Sequence, residues 1–133
     1  MEDIFRNRKR AGQLINFSGC EVGGNKLCTD IDGAAEYNNK LFVFTEVKMH
    51  GAELPRGQEL FFERLVNRLH IPNDCYAICL IATHNTPPDK EIMLKDCIVE
   101  SYYWSGRWRQ PRVIETYCKV LNDLYNKYGK DGS

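Results

Sequence analysis

The sequence predicts an α/β fold, a mixed central β-sheet flanked by α-helices, and three observations carry that expectation. The run Leu41–Lys48 is apolar on both of its alternating faces, the pattern of a strand covered on two sides. A helical spacing of apolar residues follows, Phe61, Phe62, Leu65 and Leu69, with Pro55 suited to the first turn. A second apolar run, Tyr76–Ala82, comes next, and strand, helix, strand at this separation implies a right-handed crossover and a parallel pair.

Along the chain, residues 2 to 10 are short, polar and basic, and read either as a first helix or arm or as a solvated terminus. Residues 13–17 and 26–37 read as strands, separated by the turn glycines Gly19, Gly23 and Gly24. Asn38-Asn39-Lys40 makes a tight hairpin into Leu41–Lys48. Pro87-Pro88-Asp89 opens a loop, Cys97–Trp104 reads as a further strand, and Ser105-Gly106 turns the chain. Val113–Tyr128 is expected to form the last helix, packed through Ile114, Tyr117, Leu121, Leu124 and Tyr128 and closed by Gly129.

At 133 residues without low-complexity runs, one domain spanning 1–133 is expected. Eighteen basic and 18 acidic residues cancel, so a nucleic-acid partner would have to be held by local basic patches. The six cysteines, Cys20, Cys28, Cys75, Cys79, Cys97 and Cys118, include no CxxC pair, and no secretory apolar region opens the chain. Reduced, mostly buried thiols in a cytoplasmic protein are therefore expected. No run approaches membrane-spanning length, and no membrane partner is expected.

Chemistry concentrates in residues 32–48. Glu46 and Lys48 emerge together at the C-terminal end of a buried strand, after the apolar part of their face is finished, and Asp32 precedes Glu46 by fourteen residues. A charged pair there is costly unless it has partners; the alternative is an ordinary surface salt bridge. Two carboxylates and a lysine suffice for metal-assisted phosphodiester hydrolysis, because Mg²⁺ takes oxygen ligands and the ammonium can position the attacking water. Asp30 competes with Asp32 for the ligand role, since both point to one face of an extended Asp30-Ile31-Asp32. Gln58 lies three and four residues before Phe61 and Phe62, on the helical stripe facing the sheet, or else it is a first-turn residue facing solvent. His84 leaves the edge where the parallel strands end and could touch phosphate, or be an ordinary loop histidine. Trp104, Arg107, Trp108, Arg109 and Arg112 interleave rings with guanidinium groups, fit either to clamp a phosphate backbone or to cap the core with wet arginines.

Asp32, Glu46-Val47-Lys48 and Gln58 together resemble the PD-(D/E)XK nuclease superfamily. The spacing of the acids is similar to that in archaeal Holliday-junction resolvases and RecB-type nuclease domains, the likeness covers residues 29–69, and the continuation looks like small phage-encoded members. An ExK triplet alone is a weak signal; its place at a strand end strengthens it.

The resemblance implies a restriction-endonuclease-like core and a Mg²⁺- or Mn²⁺-dependent endo- or exodeoxyribonuclease. Asp32, Glu46 and the Val47 carbonyl would be metal ligands, Lys48 would orient water and Gln58 would steady the site. Arg6, Arg8, Lys9, Arg10, His84, Arg107, Trp108, Arg109 and Arg112 are the candidate DNA contacts. DNA as partner, a homodimer and a cytoplasmic location, that of a host cell for a viral protein, are implied as well. The sequence departs from the family where Phe62 stands in the place of a frequent tyrosine, where no proline precedes Asp32, and in the first helix, where Glu2 alone could supply the glutamate that resolvases place there. The other expectation is a weak or inactive nuclease-fold module that binds DNA or a protein partner.

Overall fold

The computed structural model describes residues 14–24, 26 and 28–131. The predicted helix or arm at residues 2–10, and with it Glu2, Arg6, Arg8, Lys9 and Arg10, lies outside the described residues. Contacts divide the chain into a unit up to Asp30 and a larger unit from Ile31 onward. Among the described residues of the first unit, 14–17 form no strand, and an antiparallel bridge pairs Val22 with Lys26 around Gly23 and Gly24. Leu14 and Ile15 are exposed and only Phe17 of the described part of that run is half-buried, so the apolar pattern that predicted a strand finds little to pack on.

The second unit holds a five-stranded mixed sheet in the order β1 (Gly33–Tyr37), β2 (Leu41–Met49), β3 (Tyr76–His84), β4 (Ile98–Trp104), β5 (Arg107–Arg109). Only β2 and β3 run parallel; every other neighbour is antiparallel. Helix α1 (Arg56–Leu69) connects the parallel pair, and helix α2 (Tyr117–Leu124) follows β5, continuing as a π-helical turn through Gly129. The hairpin joining β1 to β2 turns through Asn38 and Asn39, both at positive φ (52° and 57°), where asparagine is tolerated better than most residues.

Alternation along β2 builds two cores. Leu41 and Val43 join Ile78, Leu80, Ala82, Cys97, Val99 and Tyr117 on the α2 face. Phe42 and Phe44 pack on the α1 face with Phe62, Val66, Ala77, Cys79, Ile81 and Tyr103. The sheet is thus covered on both sides, which explains why β2 and β3 read as continuous apolar runs. Among the described residues no helix is long and apolar enough to cross a membrane.

Three further expectations are corrected. The strand expected from residue 26 begins only at Gly33. The last helix starts at Tyr117, not Val113, because Val99 N–H donates to the Glu115 carbonyl (3.2 Å) and Tyr117 N–H to the Cys97 carbonyl (2.7 Å); residues 115–117 pair with the start of β4. Thr116 then caps the helix, accepting from Lys119 N–H, and Ile114 is left outside the core at 74 % exposure. Of the cysteines, Cys79 and Cys97 are buried and Cys75 half-buried, while Cys20, Cys28 and Cys118 are exposed.

Candidate metal and phosphate site

The Asp32 side chain meets β2 at the point where β1 stops pairing. The register Gly33 to Thr45 would next bring Asp32 opposite Glu46, but the chain bends at Asp32 and its carboxylate takes over the ladder. Asp32 Oδ2 accepts the Val47 N–H at 2.7 Å. An extended residue turns its N–H and C=O to one edge, so the Val47 carbonyl also faces the side where Asp32 sits. Asp32 itself is exposed.

Glu46 lies on the α1 face beyond Phe42 and Phe44 and is only 7 % exposed. Its neighbourhood registers its charge: burial first, and then the Glu46 carboxylate, push the Cys79 thiol well above its ordinary value of 9.0. The thiol is therefore neutral beneath the acid. Lys48, two residues further on the same face, is half-buried and in register with Thr83. It opens onto a cleft of about 330 Å³ shared with Leu54, Glu59, Glu100, Ser101 and Trp108.

Gln58 is half-buried in the first turn of α1, one turn before the fully buried Phe62, on the stripe that faces the sheet. The helix residue lining the Lys48 cleft, however, is the neighbouring Glu59. His84 ends β3 in register with Met49, and alternation puts it on the opposite face of the sheet from Lys48. Its Nδ1 accepts the Thr86 N–H at 3.0 Å, so neutral His84 carries its proton on Nε2. It lines a separate groove of about 860 Å³ with His50, Asn85 and Lys90.

Strand β5, which the sequence reading did not foresee, distributes the interleaved tryptophans and arginines over two faces. Trp108 packs on the α1 face, its ring centre 5.2 Å from that of Tyr103, and Nε1–H donates to Glu63 Oε2 at 2.9 Å. Arg109 donates from Nε to the Trp104 carbonyl at 3.1 Å and lines a groove on the α2 face. Arg107 and Arg112 are exposed. Trp104 is enclosed by rings, with centres 4.6 Å from His70 and 5.0 Å from Tyr128. Trp108 is the member of this group brought to the Lys48 cleft.

Glu100 and Ser101 join the site without having been singled out in the sequence. The pairing of β3 with β4 slips between Ile81 and Ala82, so that Ile81 faces Ser101, Ala82 faces Val99 and Glu100 is the extra residue of a bulge. Two consecutive polar residues inside an otherwise alternating strand, Glu100-Ser101, were the available signal.

Asp32, on the Val47 amide, and Glu46, one residue earlier on β2, offer carboxylate oxygens, the donor type that suits a hard cation keeping several waters. Among the described residues no group of three or more His, Cys, Asp or Glu could enclose a metal. No protein-family model, curated protein or solved structure matches the chain.

Proposed function

We propose that the protein is a divalent-metal-dependent deoxyribonuclease with a restriction-endonuclease-like core of the PD-(D/E)XK kind. The observation that carries the reading is the hydrogen bond from Val47 N–H to Asp32 Oδ2, which draws the first acid to the strand end that bears Glu46 and Lys48. The bond supports the reading because Asp32 then lies against the strand that carries Glu46 and the half-buried Lys48, and Lys48 borders an open cleft.

In this reading Asp32, Glu46 and the Val47 carbonyl would hold Mg²⁺ or Mn²⁺, which would supply Lewis-acid stabilisation of charge on the phosphate oxygens. Lys48 donates to the attacking water and to a phosphate oxygen, orienting both in line. As the bond from water oxygen to phosphorus forms, that water gives up a proton to solvent, the bond to the 3′ oxygen breaks, and the leaving oxygen takes a proton from solvent in turn. Gln58 steadies the helix side of the site. Arg107 and Arg112 are exposed and suited to backbone contact, whereas Arg109 is committed to the Trp104 carbonyl and His84 to the far face. A homodimer presenting two sites to two strands, working in the cytoplasm, belongs to the same proposal.

The test is cleavage of supercoiled plasmid, linear duplex and four-way junction DNA with Mg²⁺ or Mn²⁺. Asp32→Asn, Glu46→Gln and Lys48→Ala are each expected to slow cleavage by at least about a hundredfold. Absence of cleavage on every substrate, or cleavage indifferent to these substitutions, overturns the reading; DNA binding without cleavage leaves a nuclease-fold binding module.

A further inference from the structure

We infer that the cleft beside Lys48 is a pocket for one unpaired nucleobase that carries an exocyclic amine. At about 330 Å³ it lies at the small end of ligand pockets, and it opens on the same strand end as the proposed phosphate site. The inference rests on the nuclease reading for the position of the phosphate, but base binding itself can be measured without metal or cleavage.

Its aromatic wall is held in place before any ligand arrives. Trp108 is pinned by Nε1–H to Glu63 Oε2 at 2.9 Å and by the ring of Tyr103. Arg56 holds the same Glu63 oxygen at 3.3 Å and also donates to Glu59, so one guanidinium ties the indole to the acid on the cleft's helix side. A wall this constrained loses little entropy on stacking with a base.

The polar lining sets the selectivity. The Glu59 and Glu100 carboxylate oxygens accept, Ser101 can both donate and accept, and Lys48 donates. The carboxylates pair with an exocyclic amine such as cytosine N4 or adenine N6, which thymine lacks, while Lys48, a donor only, faces the acceptors beside that amine or the flanking phosphate. Glu100 is available for this because the β-bulge re-aims it; its other neighbour is His50, a loose 4.0 Å away, and its side chain is 48 % exposed. A base can enter only when unpaired, which points to single-stranded, frayed or branched substrate at the position beside the cut.

The experiment is a titration of the full chain, without metal, with dCMP, CMP, dAMP, dTMP and deoxyribose 5-phosphate, following the Trp108 indole N–H resonance. Saturable shifts are expected with dCMP and dAMP and none with dTMP or the bare sugar phosphate; comparing CMP with dCMP separates RNA from DNA as the source. Glu100→Ala, on an exposed bulge, is expected to weaken dCMP binding about tenfold or more, with Ser101→Ala as the second variant should the first fail to fold. No shift at millimolar nucleotide, or equal shifts with all bases, overturns the pocket. Cleavage with indifferent bases would sink the pocket alone, and base binding without cleavage would sink the nuclease reading alone.

Discussion

Thr45 and Tyr117 tie the sheet to α2 through one buried hydrogen bond, Oγ1 to Oη at 2.8 Å, with Thr45 only 1 % exposed. Removing either hydroxyl leaves the other buried without that partner. Tyr117→Phe is expected to cost about 1–3 kcal/mol in urea denaturation, and Thr45→Val a similar amount. The double variant should lose less than the sum of the two, because the second change removes a group already orphaned.

Cys79 sits under Glu46 with its thiol held neutral by burial first and by that acid second. Its folded value is raised, so its contribution to stability is complete below the ordinary thiol value of 9.0 and falls as pH rises beyond it, where the unfolded chain gives up the proton and the folded one does not. The expected outcome is a stability that declines from about pH 9 upward, with a shallower decline in Cys79→Ala. In native protein a thiol reagent should label Cys20, Cys28 and Cys118 at once and Cys79 only on unfolding; rapid labelling of Cys79 would contradict its placement.

Among the elements, the β1–β2 hairpin positions Asp32, since its register sets where the ladder ends. Asn39 at φ 57° is the sensitive turn position. Asn39→Gly should be nearly neutral, whereas Asn39→Val should cost about 1–2 kcal/mol, read from thermal or urea unfolding. Gly129 is the second constraint: a Cβ there would lie 3.1 Å from Tyr37 Cβ and 3.3 Å from Leu41 Cβ, and its carbonyl accepts from Asn38 Nδ2 at 2.8 Å. Gly129→Ala is expected to destabilise by about 1–3 kcal/mol, because the neighbours are backbone-proximal atoms with little room to yield.

Legibility in the sequence followed burial. β2, α1 and β3 were readable to within two residues because both sheet faces are covered and their apolar periods are unbroken. Residues 113–116 carried a helical pattern that lost to backbone pairing with β4, and Leu14–Phe17 carried a strand pattern of which Leu14 and Ile15 stay exposed. β5 was hidden behind charged residues, since Arg107-Trp108-Arg109 has one apolar side chain in three. For the proposed site, strand-end logic singles out Asp32, Glu46 and Lys48 from the sequence alone. Glu100 depends on a bulge, a two-against-one pairing that local patterning does not encode.

On the scale of the whole molecule, equal numbers of basic and acidic residues leave no net charge to gather DNA from a distance. Binding is therefore expected to be local and salt-sensitive through a few phosphate contacts, and sedimentation of the protein with DNA is expected to report a dimer. A monomer alone bound to DNA would remove the two-site arrangement from the proposal while leaving the chemistry of each site intact.

The central claim is that Asp32, Glu46 and the Val47 carbonyl form one cation site. Titration of Mn²⁺ into the protein, followed by loss of the free-ion paramagnetic resonance signal, tests it most directly. Saturable uptake by the unaltered chain that disappears in both Asp32→Asn and Glu46→Gln is the expected result. No uptake, or uptake that survives both substitutions, would contradict the claim.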